Sequence, residues 1–177
     1  MPKLVSTLGK SPGGIAETLV SLTEGNYVAP FDPVPIKIEE LIVVKTKEVE
    51  ESFYVLKALL LCCSNFVNVK VINLPFDDVN SPNDFVQVRE TIRKVLKAGD
   101  YLDFTGGRKA ISSAAVLAAR EAGAHLVSSI IPHEEYEIIN KKFNAVKDRA
   151  MKIYKKEDCV SYVCDLISKD SRTIVFF

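Results

Sequence analysis

Two glycine-rich turns constrain the fold of this chain more than any other feature of its sequence. The first, TLGKSPGG at 7–14, follows the apolar run 3–8, and the second, TGGRK at 105–109, follows the apolar run 101–104. A strand that passes through small residues into a helix points free backbone N–H groups at one place, which favours a phosphate. Because both turns also carry cations, the sequence predicts two cradles for a ligand with several phosphates.

Strand-like and helical segments alternate along the chain. The strand-like runs are 3–8, 41–45, 69–74, 101–104 and 125–131. This alternation predicts an α/β fold, a Rossmann-like, mainly parallel sheet with helices on both faces. Ligands of such folds bind outside the carboxyl ends of the strands, where both glycine turns lie. One of the helices has a clear start, with Ser81 before it, Pro82 at its first position and Asp84 in its first turn.

The pattern changes after Pro132. A charged helical stretch over 136–151 precedes two strand-like runs, 161–167 and 172–177, which the turn-forming residues 168–171 join. This pattern predicts a C-terminal β-hairpin over approximately 159–177. We therefore expect residues 1–177 to form one domain with a hairpin at its end.

Charge and composition exclude several classes of protein. Lys plus Arg and Asp plus Glu both number 23, so the net charge of zero argues against binding to long nucleic acid. The absence of a signal peptide and of a long apolar run predicts a cytoplasmic protein with no membrane partner. With two histidines we expect no metal site and no cofactor. The four cysteines do not suggest a secreted disulfide framework, and a bond between Cys159 and Cys164 is left open.

Standard nucleotide motifs do not fit the first turn. A Walker A loop ending in Gly9-Lys10-Ser11 would require glycine at position 4, which is Leu4. Gly9, Gly13 and Gly14 have the wrong spacing for a dinucleotide fingerprint. An ordinary ATPase or dehydrogenase is therefore disfavoured.

The first turn, together with GDYLDFTGGRK at 99–109, resembles the CRISPR-associated Rossmann fold (CARF) family. More narrowly, the chain is similar to the stand-alone archaeal ring nucleases of that family. The resemblance implies a homodimer that binds cyclic tetra-adenylate across its two-fold axis. It also implies metal-independent cleavage to linear diadenylate with a 2′,3′-cyclic phosphate, which would switch off type III CRISPR antiviral signalling.

Two residues are the candidate catalytic groups. In the reaction that the resemblance implies, a ribose 2′-OH attacks its own phosphate, so the protein supplies positioning and charge. Ser11 would hydrogen-bond a ribose or phosphate oxygen and fix the 2′-OH, with a helix N-cap as the alternative role. Related ring nucleases use a lysine near the C-terminus. Lys169 is the candidate here, to stabilise the pentacoordinate phosphate or the departing 5′-oxygen, unless it is an ordinary turn lysine.

The remaining candidates would bind phosphate. Cations are unfavourable at a helix start, so Arg108 and Lys109 after a Gly-Gly turn indicate an anion there. Lys10 would add charge, although a solvated lysine is an equal alternative, and His133 is assigned no role. Asp77, Asp78 and Asp103 are more readily loop caps than metal ligands, and Asp103 could orient the Gly-Gly turn. The full set of expected ligand-binding residues is Gly9, Lys10, Gly13, Thr105, Gly106, Gly107, Arg108 and Lys109.

Two other functions are consistent with the same residues. A CARF sensor would hold the ring uncut and act on a partner effector. A different nucleotide enzyme of the doubly wound class would take a mononucleotide and a metal. Binding without turnover distinguishes the sensor, and turnover that EDTA abolishes distinguishes the mononucleotide enzyme.

Overall fold

A six-stranded sheet organises the computed structural model, which describes all 177 residues. The strands are β1 (Leu4–Thr7), β2 (Leu41–Lys45), β3 (Val69–Asn73), β4 (Tyr101–Asp103), β5 (His125–Ile130) and β6 (Arg172–Val175). Their spatial order is β3-β2-β1-β4-β5-β6, and all pairs are parallel except β5 with β6. The predicted Rossmann-like α/β fold is confirmed.

Five α-helices cover both faces of the sheet. They are α1 (Gly13–Glu24), α2 (Glu50–Ser64), α3 (Pro82–Val95), α4 (Lys109–Ala122) and α5 (His133–Ala150). Residues of α1 and α2 share one core with Ala150 of α5, and residues of α3 and α4 form the second core. No helix combines the length and the apolarity that crossing a membrane requires.

The strand sequences explain why there are two cores. Successive side chains of a strand point to opposite faces of its sheet. Accordingly Leu4 belongs to the core under α1 and α2, whereas its neighbour Val5 belongs to the core under α3 and α4. Strands buried on both faces read as continuous apolar runs, as 41–44 does.

The C-terminal region differs from its prediction in one respect. The final strand β6 is antiparallel as expected, but its partner is β5, with Val127 opposite Val175. Ser161–Leu166, predicted as the first strand of the hairpin, forms a 3-10 helix that packs against α2 and α5. Val163 and Leu166 are both buried, and their spacing of three places them on one side of such a helix.

Two disulfide bonds hold this 3-10 segment against α2. Cys62 is bonded to Cys159 and Cys63 to Cys164, so no cysteine is free. A bond between Cys159 and Cys164, which the sequence left open, is therefore excluded. Each of the two adjacent cysteines of α2 takes one partner from the C-terminal region, a pairing that spacing along the sequence does not reveal.

Candidate functional site

The two glycine turns meet in one cavity at the carboxyl ends of the strands. A Cβ on Gly9 would lie 2.8 Å from the backbone N of Gly107, and one on Gly106 would lie 2.8 Å from the backbone N of Gly9. Only glycine permits this approach of two backbones. The cavity has a volume of about 440 Å³. The predicted residues that line it are Gly9, Lys10, Ser11, Gly13, Thr105, Gly106, Gly107 and Arg108.

The first turn also packs against the C-terminal region. A Cβ on Gly13 would collide with the carbonyl oxygen of Leu166, and one on Gly14 would lie 2.6 Å from Cγ2 of Thr105. Leu166 ends the 3-10 segment and itself lines the cavity. The wall of the cavity at α1 therefore depends on the segment that the disulfides hold.

The two helices that follow the glycine turns have bare N-termini. The N-cap of α1 is Pro12 and that of α4 is Arg108, and neither makes a side-chain cap hydrogen bond. Neither helix carries an acidic residue in its first turn. The first N–H groups of both helices are thus left without a protein cap at a place where an anion would be stabilised.

Ser11 is not the N-cap of α1, so that alternative is wrong. Its hydroxyl lines the cavity and donates to Oδ1 of Asn140 on α5 at 3.3 Å. The backbone carbonyl of its neighbour Lys10 accepts a hydrogen bond from Ser52 of α2 at 2.8 Å. These contacts fix the serine between α2 and α5. No feature of the sequence indicated that Asn140 contacts Ser11.

A buried polar network fixes the second turn. Oδ1 of Asp103 accepts from the backbone N–H of Thr105 at 2.8 Å and also from the Thr105 hydroxyl. Oδ2 of Asp103 accepts from the Ser6 hydroxyl at 2.8 Å, and the Thr105 hydroxyl in turn accepts from the Ser129 N–H at 2.8 Å. Burial raises the pKa of Asp103, although its hydrogen bonds oppose the shift. Asp103 therefore orients the Gly-Gly turn, as its place in the motif suggested.

The cations around the cavity differ in their partners. Arg108 donates through Nε and Nη2 to the two carboxylate oxygens of Glu48, at 2.7 and 3.0 Å, and Nη1 lies 3.5 Å from Asp78. The hydrogen bond from Arg108 lowers the pKa of Glu48 and raises that of Arg108 itself. Lys10 and Lys109 are exposed and form no ion pair, and Lys109 does not line the cavity.

Sequence reasoning missed three charged residues of the cavity wall, which are Glu17, Lys45 and Glu48. Lys45 is almost completely buried and pairs with Glu50. It is the last residue of β2, so the rule that ligands bind at the carboxyl ends of strands was the available signal. Glu17, which is 4% exposed, lies one helical turn after Gly13. Burial raises its pKa to about 7.

Lys169 lies outside the group of residues that line the cavity. It is exposed, and it follows Ser168, whose backbone N–H donates to Oε1 of Glu17 at 2.7 Å. His133 is the first residue of α5 and is also exposed. No group of three or more His, Cys, Asp or Glu side chains is arranged to hold a metal ion.

Comparison with known proteins identifies a relative that matches along the chain. No family model matches the chain. The CRISPR system ring nuclease SSO2081 of Saccharolobus solfataricus is 37% identical to it over 186 aligned positions, and the alignment covers 99% of each chain. The alignment therefore spans both glycine turns and the C-terminal region.

Proposed function

The chain belongs to the CRISPR ring nuclease family, and from this membership we propose that it cleaves cyclic tetra-adenylate to linear diadenylate with a 2′,3′-cyclic phosphate. Cleavage would remove the messenger and so switch off type III CRISPR antiviral signalling. The observation that carries the proposal is the meeting of two glycine turns with two bare helix starts at one cavity. Such an arrangement suits a ligand with several phosphates.

The proposed reaction needs no nucleophile from the protein. The 2′-oxygen of one ribose forms a bond to its own phosphorus while the bond from phosphorus to the 5′-oxygen of the next nucleotide breaks. The proton of the 2′-OH is lost and the 5′-oxygen gains one, so no water is consumed. Two such cuts convert a four-membered ring into two linear dimers. The contribution of the protein is to orient the ribose and stabilise the charge on the phosphate.

Ser11 and Lys169 are the proposed catalytic residues. Ser11 is held at the cavity wall by Asn140, which suits a hydroxyl that must fix the direction of a 2′-OH. Lys169 would stabilise the pentacoordinate phosphate or the departing 5′-oxygen, which requires its exposed side chain to reach over the cavity when the ring is bound. Lys10, Arg108 and Lys109 would bind phosphates together with the backbone of the glycine turns.

The proposal includes a homodimer, because a ring with two-fold symmetry can meet two identical cavities across a two-fold axis. It also includes metal independence and a cytoplasmic location in an archaeal host. Two disulfide bonds are compatible with that location, since intracellular proteins of hyperthermophilic archaea are rich in disulfides. Sedimentation with and without the ring would test the dimer.

The first experiment is incubation of the purified protein with labelled cyclic tetra-adenylate in EDTA, followed by separation of the products. We expect linear diadenylate with a cyclic phosphate end. Retention of the intact ring on the protein would instead indicate a sensor that acts on a partner. Absence of binding would contradict the proposed substrate. Turnover of a mononucleotide that stops in EDTA would favour the other nucleotide enzyme.

Two substitutions test the catalytic assignment. We expect Ser11→Ala and Lys169→Ala each to slow single-turnover cleavage by about a hundredfold or more, the usual loss when one positioned group is removed. Ser21→Ala, within helix α1 and without a side-chain hydrogen bond, and Lys152→Ala, at an exposed position, are the matched controls. Cleavage at the parental rate by folded, dimeric Ser11→Ala and Lys169→Ala variants would refute the assignment.

A further inference from the structure

Glu17 is a buried carboxyl group at the cavity that no cation neutralises. It is 4% exposed, lines the cavity from the second turn of α1, and takes part in no ion pair. Burying a carboxyl group without a charged partner costs free energy. Its hydrogen bond is the one that it accepts from the backbone N–H of Ser168, at 2.7 Å. The bond joins residues 151 positions apart.

Ser168 is held from a second helix as well. Its hydroxyl donates to Oε2 of Glu135 on α5 at 2.8 Å and accepts from the backbone N–H of Asp170 at 3.1 Å. Ser168 is therefore fixed on both sides, and it is 7% exposed. Lys169 stands between Ser168 and Asp170 and is exposed. The peptide that carries Lys169 is thus the best-anchored part of an otherwise exposed turn.

The charges that face Glu17 are negative. Glu135 on α5 and Asp103 on β4 both act on it, and each raises its pKa, in addition to the larger effect of burial. Ser168 opposes the shift by donating its N–H. A neighbourhood of this kind is a poor design for stability alone. It suits a group whose task is to accept one backbone hydrogen bond at a defined place.

We propose that Glu17 is a positioning residue that holds the Ser168 backbone and thereby sets the place of Lys169 relative to the cavity. The inference rests on the proposed function, in which Lys169 assists cleavage. Glu17 does not touch the reacting atoms in this role. Glu135 supports the same peptide from the opposite side through the Ser168 hydroxyl.

A double-mutant cycle with Lys169 tests the proposal. Glu17→Ala should slow single-turnover cleavage of cyclic tetra-adenylate by about tenfold to a hundredfold, the scale expected for a misplaced catalytic group. In a Lys169→Ala background the same substitution should cause little further loss, because the group that Glu17 positions is already absent. Glu17→Gln keeps an oxygen acceptor and should restore most of the rate. An equal loss in both backgrounds would overturn the proposal.

Two further measurements separate positioning from damage to the fold. The parent rate should rise modestly as the pH passes through about 7, because the ionised carboxylate is the stronger acceptor for the Ser168 N–H, and Glu17→Gln should lack that rise. Hydrogen exchange at the Ser168 amide should become faster in Glu17→Ala, whereas the matched control Glu24→Gln, at an exposed position of the same helix, should leave it unaltered. Unchanged exchange would contradict the proposed contact. This readout needs no substrate, so it remains decisive even if the parent does not cleave the ring.

Discussion

Helix α3 and the two helices at the cavity begin in opposite ways. The start of α3 is satisfied by its own chain, since the Ser81 hydroxyl accepts from the backbone N–H of Asp84 at 3.1 Å and Asp84 lies in the first turn. Helices α1 and α4 have neither a side-chain cap nor an acidic first turn. Acidic residues also occupy the first turns of α2 and α5. The chain thus supplies negative charge at every α-helix start except the two that follow the glycine turns.

This difference separates the helix start that the chain itself satisfies from the two that remain open to a ligand. A cap and an acidic first turn stabilise a helix by satisfying its free N–H groups and its dipole. Helices α1 and α4 have neither a cap nor an acidic first turn, so they lack that stabilisation at the place where the glycine turns converge.

Removing the disulfides should loosen the 3-10 segment Ser161–Leu166, which packs against the start of α1. The bonds close loops of 97 and 101 residues and hold the segment whose Leu166 packs on Gly13. A loop of this length is worth about 4–5 kcal/mol, and the second bond adds little because it closes nearly the same loop. Full reduction should therefore lower the Tm by roughly 10 °C or more, as measured by thermal unfolding.

The control is the variant in which all four cysteines are replaced by serine. Its Tm should equal that of the reduced protein and should not respond to reductant. Hydrogen exchange should accelerate at 161–168 on reduction and remain slow in β4, which precedes the second glycine turn. An unchanged Tm in protein with four titratable thiols would contradict the prediction.

Glu17 should make stability fall as the pH rises. Its pKa is about 7 in the folded protein against an ordinary value of 4.5, so the folded state keeps a proton that the unfolded state has lost. The stabilisation is complete below about pH 4.5 and is lost as the pH rises through about 7. The total change is ~3 kcal/mol. The carboxyl group of Glu17, one turn into α1, is therefore neutral over much of this range.

Denaturant unfolding of the parent and of Glu17→Gln between pH 4.5 and 8 measures this effect. The variant should have the flatter profile and should exceed the parent in stability at the alkaline end. Glu24→Gln, exposed on the same helix, should follow the parent curve. Parallel profiles of the parent and Glu17→Gln would show that the carboxyl group is charged throughout.

Much of the fold was predictable from local pattern. Strand-like runs identify the five parallel strands, of which only the edge strand β3 is largely exposed, and Ser81-Pro82 with Asp84 identifies the start of α3. The convergence of the glycine turns followed from the rule on strand ends, because both turns follow neighbouring parallel strands. These features depend on residues close together in the sequence.

The missed features depend on contacts between distant residues. Ser161–Leu166 reads as a strand, yet the disulfides and the spacing of Val163 and Leu166 make it a 3-10 helix. The hydrogen bond from Ser168 to Glu17 and the pairing of Arg108 with Glu48 join parts of the chain that no motif connects. More than half of the residues that line the cavity were therefore not predicted from the sequence.

An acidic residue at the start of α4 would give this helix the negative charge that α3 has in its first turn. Lys109→Glu places a favourable charge at the first position of the helix, so the stability of the fold should hold or rise slightly. The affinity for cyclic tetra-adenylate should fall about a hundredfold, because like charges brought together cost several kcal/mol. Equilibrium binding in a Ser11→Ala background, which prevents cleavage, measures this loss. Lys152→Glu, exposed and not at the start of a helix, is the control, and a loss below threefold for Lys109→Glu would contradict the prediction.

The smallest effects are expected from removing the side-chain cap of α3. Ser81→Ala removes the cap of α3 and should cost about 1 kcal/mol of stability, measured by denaturant unfolding. It should leave ring affinity unchanged, since α3 begins outside the cavity. Ser81→Asn, which keeps an oxygen acceptor, should retain most of the stability. Weaker ring binding by Ser81→Ala would mean that the capped helix start also serves the site.

The converse change gives α4 the cap that it lacks. Arg108 has the extended backbone of an N-cap, with φ −69° and ψ 155°, so a serine there can accept from the first N–H groups. Arg108→Ser and Arg108→Ala both lose the guanidinium, and they differ only in the cap. The serine variant should be the more stable of the two and should bind the ring less tightly, because its hydroxyl occupies an N–H group that a phosphate would use. Equal affinities would show that the phosphate does not use the start of α4.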